Sequence, residues 1–303
     1  MSDVTPRHGL VISATRRHVT LLVGTERRRV RGRLSSHARD VTVGDTVTLS
    51  EDKGEAFVES ILPHRNCLSR AYREKKKKLA ANLDRVFIVT AAMPLFNPVF
   101  VDRTIAVAET EEIPCTLIVN KTDLDLEDTM PLIETYAEIR IPILFTSARS
   151  GEGLDEVEAA LRDPALNTVA LVGVSGVGKS SILNHLVPEA ARATGEVSRT
   201  GQGRQTTTQS HGYLYPRPGL PDLLIIDLPG IQKFGVTHLT PRQVAHAFVE
   251  FREASRACQF ADCSHTAEEQ CGVKVSFDAG LISASRYFSY LDMLDEIEAA
   301  RQW

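Results

Sequence analysis

The chain has 303 residues, 43% of them hydrophobic, which is enough for two or three ordinary domains that each bury a core. No apolar run approaches the ~18 residues of a membrane span, and the opening "MSDVTPRHGLVISATRR" lacks the apolar centre of a signal peptide, so a soluble cytoplasmic protein is expected. The net charge of −4 hides an asymmetry, because residues 1–79 carry 17 Lys+Arg against 9 Asp+Glu while the remainder carries 18 against 30. A basic N-terminal quarter on an acidic body suggests that this end meets a polyanion such as nucleic acid.

From residue 9 to about 64 the sequence reads as short strands with close turns: "GLVISATRRHVTLLVG", "RRVRGRL", "DTVTLSE" and "EAFVESILP". Val and Thr enrichment, alternation, and breakers at Gly24, Gly44 and Gly54 predict a small all-β unit. A five-stranded OB-like barrel over residues 1–70 is the economical reading, and an SH3-like barrel fits nearly as well. Arg16, Arg17, Arg27, Arg28, Arg29, Arg31 and Arg33 would load its open face with positive charge, as RNA binding requires. "YREKKKKLAANLD" then reads as a solvated basic linker or helix start, placed at 71–84.

Beyond residue 85 the texture changes to continuous apolar strands ("RVFIVTAA", "CTLIVNK", "PILFTSA", "TVALVGV", "LLIIDLPG") that alternate with helical patterns. This predicts an α/β domain over 85–234, a parallel sheet covered on both faces. After 235 the pattern is mainly helical and is broken by a cysteine cluster, which makes 235–303 a third unit.

"GVSGVGKSS" follows a strand and opens the helix "SSILNHLV", the context a phosphate loop needs. Gly173, Gly176 and Gly178 let the backbone around Val174, Ser175 and Val177 aim N–H groups at phosphates; Lys179 reaches the β and γ oxygens, and Ser180, with Ser181 beside it, opens the helix and would hold Mg²⁺. "IIDLPG" places Asp227 on the Mg²⁺ side and the Gly230 N–H near a γ-phosphate. Between the two, "GRQTTT" at 203–208 offers switch-one hydroxyls, Thr207 and Thr208 among them.

"NKTD" at 120–123 reads guanine, because the Asp123 carboxylate can accept from both the ring N–H and the exocyclic amine. Asn120 and Lys121 belong to the same loop, and "TSA" adds Ser147 and Ala148 near the base. These base loops precede the phosphate loop. If every loop reaches one sheet edge, the order is a circular permutation of an ordinary small GTPase, and switch two runs directly into the C-terminal helices. Rejoining termini that lie close together costs such a fold little.

Cys258, Cys263, His265 and Cys271 form C-x₄-C-x-H-x₅-C, four soft ligands that suit one tetrahedral, structural Zn²⁺. Clustering of three of the five cysteines at one place fits a metal site in a reducing compartment better than a disulfide framework.

With these residues in view, nearly the whole chain resembles the circularly permuted ribosome small-subunit-dependent GTPase A family (RsgA/YjeQ). The resemblance rests on "ILPHRNCLSR", "AANLDRVFIVTAAMPLFNPVFVDRTIAVAE", "NKTDL", "TSARSGEGL", "GVSGVGKSSILN", "GRQTTT", "DLPGIQKFG", the Cys₃His cluster and "GLISASRYFSYLDML". It implies a multidomain protein: an OB-like barrel, a circularly permuted P-loop GTPase domain and a mainly helical zinc-binding domain. It further implies late assembly of the small (30S) ribosomal subunit and its rRNA, with subunit-stimulated hydrolysis of GTP to GDP, one Zn per chain, Mg with GTP, and a monomer that meets no membrane. Where many GTPases place a water-orienting Gln after D-x-x-G, this chain has Ile231. Gln205, at a position that is commonly His in the resembling family, is the candidate for that task beside Lys179. The alternative is a GTP-binding RNA scaffold with little or no hydrolysis.

Overall fold

The computed structural model describes residues 7–36, 38–52, 55–72, 75–190 and 210–301. Five strands, β1 (Arg7–Ala14), β2 (His18–Val23), β3 (Arg28–Leu34), β4 (Thr46–Asp52) and β5 (Glu55–Ile61), close in the order β1-β2-β3-β5-β4-β1, with β3 and β5 parallel. Alternation along each strand turns Val11, Leu21, Val47 and Val58 into a fully buried interior. In β3 the opposite phase leaves Arg29, Arg31 and Arg33 exposed on the outer face. Of the seven arginines expected on one face, Arg29, Arg31 and Arg33 share it, and two of the set are engaged: Arg27 Nη1 donates to the Asp222 carbonyl at 3.0 Å, and Arg29 pairs with Glu189 at 3.3 Å, both across to the neighbouring domain.

The stretch expected as a linker or helix start is instead a strand. β7 (Lys75–Ala81) pairs antiparallel with β6 (Cys67–Tyr72). Lys75, Lys76 and Lys77 are exposed while Leu79, Ala80 and Ala81 are buried, so the hairpin projects its basic end into solvent and roots its apolar end in the core. No period-2 signal marks the lysine run in the sequence.

The central sheet runs β10 (Ile143–Phe145), β9 (Cys115–Asn120), β8 (Arg85–Ala91), β11 (Thr168–Val172), β13 (Leu223–Asp227) and β12 (His211–Tyr215), parallel throughout except for β12. β12 also pairs with β1 through Ser13 and His211, so barrel and central sheet form one continuous eleven-stranded surface. One face (Ile88, Leu117, Val119, Ala170, Ile226) is covered by α1 (Pro98–Thr110) and α2 (Met130–Glu138). The other (Phe87, Val89, Ile118, Leu171, Ile225) is covered by α3 (Leu154–Leu161) and α4 (Lys179–Leu186). Behind α3, the buried Arg217 donates to the carbonyls of Leu161, Asp163, Leu166 and Pro221, which caps the negative end of that helix.

The C-terminal unit contains α5 (Pro241–Ala247), α6 (Val249–Ala254), a 3-10 turn (Ser255–Ala257), α7 (Gly272–Asp278) and α8 (Ala284–Arg301). A capping box starts α5: the Thr240 hydroxyl accepts from Gln243 N, and the Gln243 side chain accepts from Thr240 N. These helices do not build a core of their own. Phe248, Tyr290 and Met293 join Ile105 and Ile226 in one apolar cluster.

The joint is cemented by charge as well. Asp102 of α1, fully buried, accepts from Arg286 Nη1 at 2.8 Å and from the Tyr136 hydroxyl at 2.9 Å, while Arg286 forks onto Glu250 at 2.8 and 3.0 Å. Such a pair is strongly destabilising to break from one side, because the partner is left charged and dry. Among the described residues no helix is long and apolar enough to cross a membrane.

Candidate functional site

The described nucleotide motifs at 120–123, 146–148, 173–180 and 227–230 each lie at the carboxyl end of a strand, so the loops after β9, β10, β11 and β13 meet at one sheet edge. The phosphate loop leaves β11 at Gly173 and enters α4 at Lys179. Gly178 has φ +92° and approaches the base loop so closely that a Cβ there would lie 2.1 Å from Asn120 Nδ2. Only glycine satisfies both demands. Ser175, Gly176, Ser180 and Ser181 are exposed along this turn, whereas Val177 is buried beneath it and Val174 is half-buried.

The base loop is stitched to the phosphate loop. Asn120 is buried, and its amide donates to the Val177 carbonyl at 2.8 Å and accepts from Ala148 N at 3.0 Å. Lys121 Nζ donates to the carbonyls of Gly176 and Met93, each at 2.7 Å. Both ends of the Asn120 side chain are thus engaged in protein bonds, and three loops are locked in one geometry.

Asp123 is left to present its carboxylate. Its Oδ1 accepts from the Ser147 hydroxyl at 2.6 Å and its Oδ2 faces the Arg149 guanidinium at 3.7 Å. The Ser147 hydrogen bond holds the carboxyl below the usual carboxylate range, so it is ionised at neutral pH. An ionised, oriented acceptor suits a pair of N–H donors and rejects a base that lacks them.

On the phosphate side, Lys179 Nζ and Asp227 Oδ1 are bonded to each other, and both residues are buried. The contact places a cation suited to phosphate oxygens beside a hard carboxylate suited to Mg²⁺, with Ser180 at the first turn of α4. Gly230 abuts the phosphate loop, a Cβ there falling 3.8 Å from Ser175 N. Ile231 is buried and carries no polar atom toward the site. Gln205, Thr207 and Thr208 lie outside the described residues.

In the cysteine cluster, the ligand atoms of Cys258, Cys263, His265 and Cys271 all lie within 4.8 Å of one another. Tetrahedral zinc with bonds of about 2.3 Å to sulfur and about 2.0 Å to nitrogen separates two sulfurs by about 3.8 Å and a sulfur from a nitrogen by about 3.5 Å. Here the sulfurs of Cys258 and Cys271 are 3.9 Å apart, and His265 Nδ1 is 3.6 and 3.4 Å from them. The residues therefore fit such an ion, all four positions being protein.

The support around this cluster escaped sequence reasoning. Glu268 accepts from Ser264 N at 2.6 Å and from Thr266 N at 3.1 Å, straddling His265. Tyr287 and Tyr290 of α8 donate to the carbonyls of His265 and Ser264, each at 2.7 Å. The i,i+3 spacing of the two tyrosines on one helical face was the available signal.

A family model described as RsgA GTPase matches residues 61–237. The chain belongs to the RsgA GTPase family. An RsgA from Bordetella pertussis, named a small ribosomal subunit biogenesis GTPase, is 38% identical over 97% of this chain and 98% of its own length. The RsgA of Shewanella oneidensis, with the same name, is 35% identical over 100% of this chain and 83% of its own. Among solved structures, YjeQ from Thermotoga maritima is 28% identical, covers 97% of this chain and 99% of its own, and superposes with a TM-score of 0.73. YloQ, described as a circularly permuted GTPase, is 25% identical, covers 98% and 97%, and scores 0.68. The permuted order and the barrel in front of it are thus features this chain shares with other RsgA-like proteins.

Proposed function

We propose that this protein hydrolyses GTP on the small ribosomal subunit during its late assembly, with turnover stimulated by the subunit and coupled to release. The observation that carries the reading is the stitching of base loop to phosphate loop by Asn120 and Lys121, which supports one site assembled from motifs in permuted order, with Asp123 as the acceptor suited to guanine. The names of the similar RsgA proteins supply the partner. The exposed arginines of β3 and the lysines of β7 suit contact with rRNA phosphates. The protein works as a cytoplasmic monomer, and the Cys₃His cluster holds one structural zinc.

In this reading the N–H groups from Gly173 to Gly178 and the Lys179 ammonium bind phosphates, Asp123 reads guanine, and Ser147 and Ala148 support the base. Ser180 and Asp227 would hold Mg²⁺, which would supply charge neutralisation for the phosphates. Thr207 and Thr208 close from switch one. Gln205 orients the attacking water, since an amide both donates and accepts without a shifted pKa and Ile231 cannot substitute.

Two measurements test this. In co-sedimentation, the protein is expected to pellet with small subunits in the presence of a non-hydrolysable GTP analogue and to be released by GDP; equal binding in both states contradicts coupled release. Gln205→Ala is expected to lower subunit-stimulated turnover by on the order of 10²-fold with GTP affinity unchanged. A wild-type rate on the subunit would remove Gln205 from the chemistry and leave water positioning to the ribosome.

A further inference from the structure

The chain that leaves the nucleotide site after Asp227 passes through a three-sided grip before it enters α5. On one side Ala71 of β6 pairs with Gly235, Ala71 N donating to the Gly235 carbonyl at 2.8 Å. A Cβ on Gly235 would fall 2.6 Å from the Ala71 carbonyl oxygen, so the two backbones meet this closely only because residue 235 is glycine. On a second side Arg103 of α1, its side chain 1% exposed, donates from Nη1 to the Phe234 carbonyl at 3.1 Å. The same Nη1 reaches Glu296 Oε2 of α8 at 2.7 Å, and Nη2 reaches Asp292 at 2.6 Å. On the third side Glu296 takes hold of the segment directly: Oε1 accepts from Val236 N at 3.2 Å, and Oε2 pairs with Lys233 Nζ at 2.7 Å. The Phe234 ring, fully buried, packs edge-on against Phe100 at 6.3 Å.

One carboxylate on α8 thus binds a backbone N–H and a side chain of residues 233–236 together with the α1 guanidinium. None of these contacts is needed to bind or cleave a nucleotide. Their common feature is that a shift of the segment strands the Phe234 carbonyl beside the buried Arg103 guanidinium and the Val236 N–H beside the half-buried Glu296 carboxylate, where unpaired polar groups are costly. Packed interfaces of this kind hold one arrangement or another instead of deforming gradually. α8 also carries Tyr287 and Tyr290, whose hydroxyls hold the metal loop.

We infer that Arg103 and Glu296 are positioning residues forming a clamp that transmits the state of the nucleotide site, through residues 233–236, to α8 and the metal-binding loop it supports. The coupling is reciprocal: a partner that displaces α8 changes the position of the segment following Asp227 by the same free energy. The inference rests on the nucleotide reading of the site, and its test separates the two.

The test is amide hydrogen exchange over 227–236 and 284–301 of the full protein, loaded with GDP or with a non-hydrolysable GTP analogue. In the wild type, exchange in both segments is expected to differ between the two states by about threefold or more. In Glu296→Ala the 227–236 difference persists while the 284–301 difference collapses, with nucleotide affinity within about twofold of wild type. A purely structural role would instead raise exchange in α8 equally in both states. Lys233→Met removes only the exposed arm of the clamp and is expected to reduce the α8 difference with metal content unchanged; should Glu296→Ala lose its metal, this variant decides. An α8 difference undiminished in Lys233→Met or Glu296→Ala overturns the clamp, as does a wild type in which 227–236 responds and 284–301 does not. If neither segment responds to nucleotide, the reading of the site falls and the clamp with it.

Discussion

Asp123→Ala is expected to weaken GTP binding by about 10²–10⁴-fold, the largest single effect among the nucleotide contacts. The variant removes a carboxylate that would accept two charge-assisted hydrogen bonds, each worth about 1.5–3 kcal/mol, and each 1.4 kcal/mol is tenfold in affinity. The fold should not suffer, because the loop is fastened independently by Asn120 and Lys121, whereas the Asp123 carboxylate meets Ser147 and Arg149 near the surface. Titration with a fluorescent GDP analogue measures the effect, and thermal melting of the nucleotide-free protein checks the fold. An affinity within about threefold of wild type would show that guanine is read elsewhere.

The second large effect is expected from Cys271→Ser. Cys271 is buried, sits between Cys258 and His265, and also caps α7, its sulfur accepting from Lys274 N at 3.4 Å. Losing one of four protein ligands in a closed site forfeits most of a metal-binding free energy on the order of 10 kcal/mol, which is folding free energy for the elements the ion joins. Zinc content should fall from about one per chain to near zero, and proteolysis should open the region between residues 258 and 283. GTP binding should survive within about twofold, since the base and phosphate loops are fastened to each other by Asn120 and Lys121. Full protection of that region in metal-free protein would contradict a structural metal.

How far the sequence reaches is visible in particular residues. The meeting of the base and phosphate loops at one sheet edge was legible because each is a local pattern in a fixed setting, a strand end followed by Gly178 and Lys179, or by Asn120 and Asp123. The Cys₃His cluster was legible because Cys and His are rare and their spacing is short. The β6–β7 hairpin was not, since four lysines in a row carry no alternation, and only the buried Leu79, Ala80 and Ala81 betray its inner end.

Asp102 and Arg103 were hidden for a different reason. Adjacent charges on an amphipathic helix place at least one toward solvent by default, yet α1 is covered by the sheet on one side and by α8 on another, and both charges are buried. Their partners, Asp292, Glu296 and Arg286, lie more than 180 residues away, beyond the reach of any local pattern. Glu268, Tyr287 and Tyr290 likewise act through ordinary residue types whose roles appear only once the chain has folded back on the cluster.

The most direct test of the central claim is GTP turnover by the purified protein, alone and with added small ribosomal subunits, with ATP as the control nucleotide. A slow basal rate raised by at least about tenfold by the subunit, with ATP inert, is the predicted result. A GTP rate that the subunit leaves unchanged, or ATP hydrolysed as readily as GTP, would contradict it.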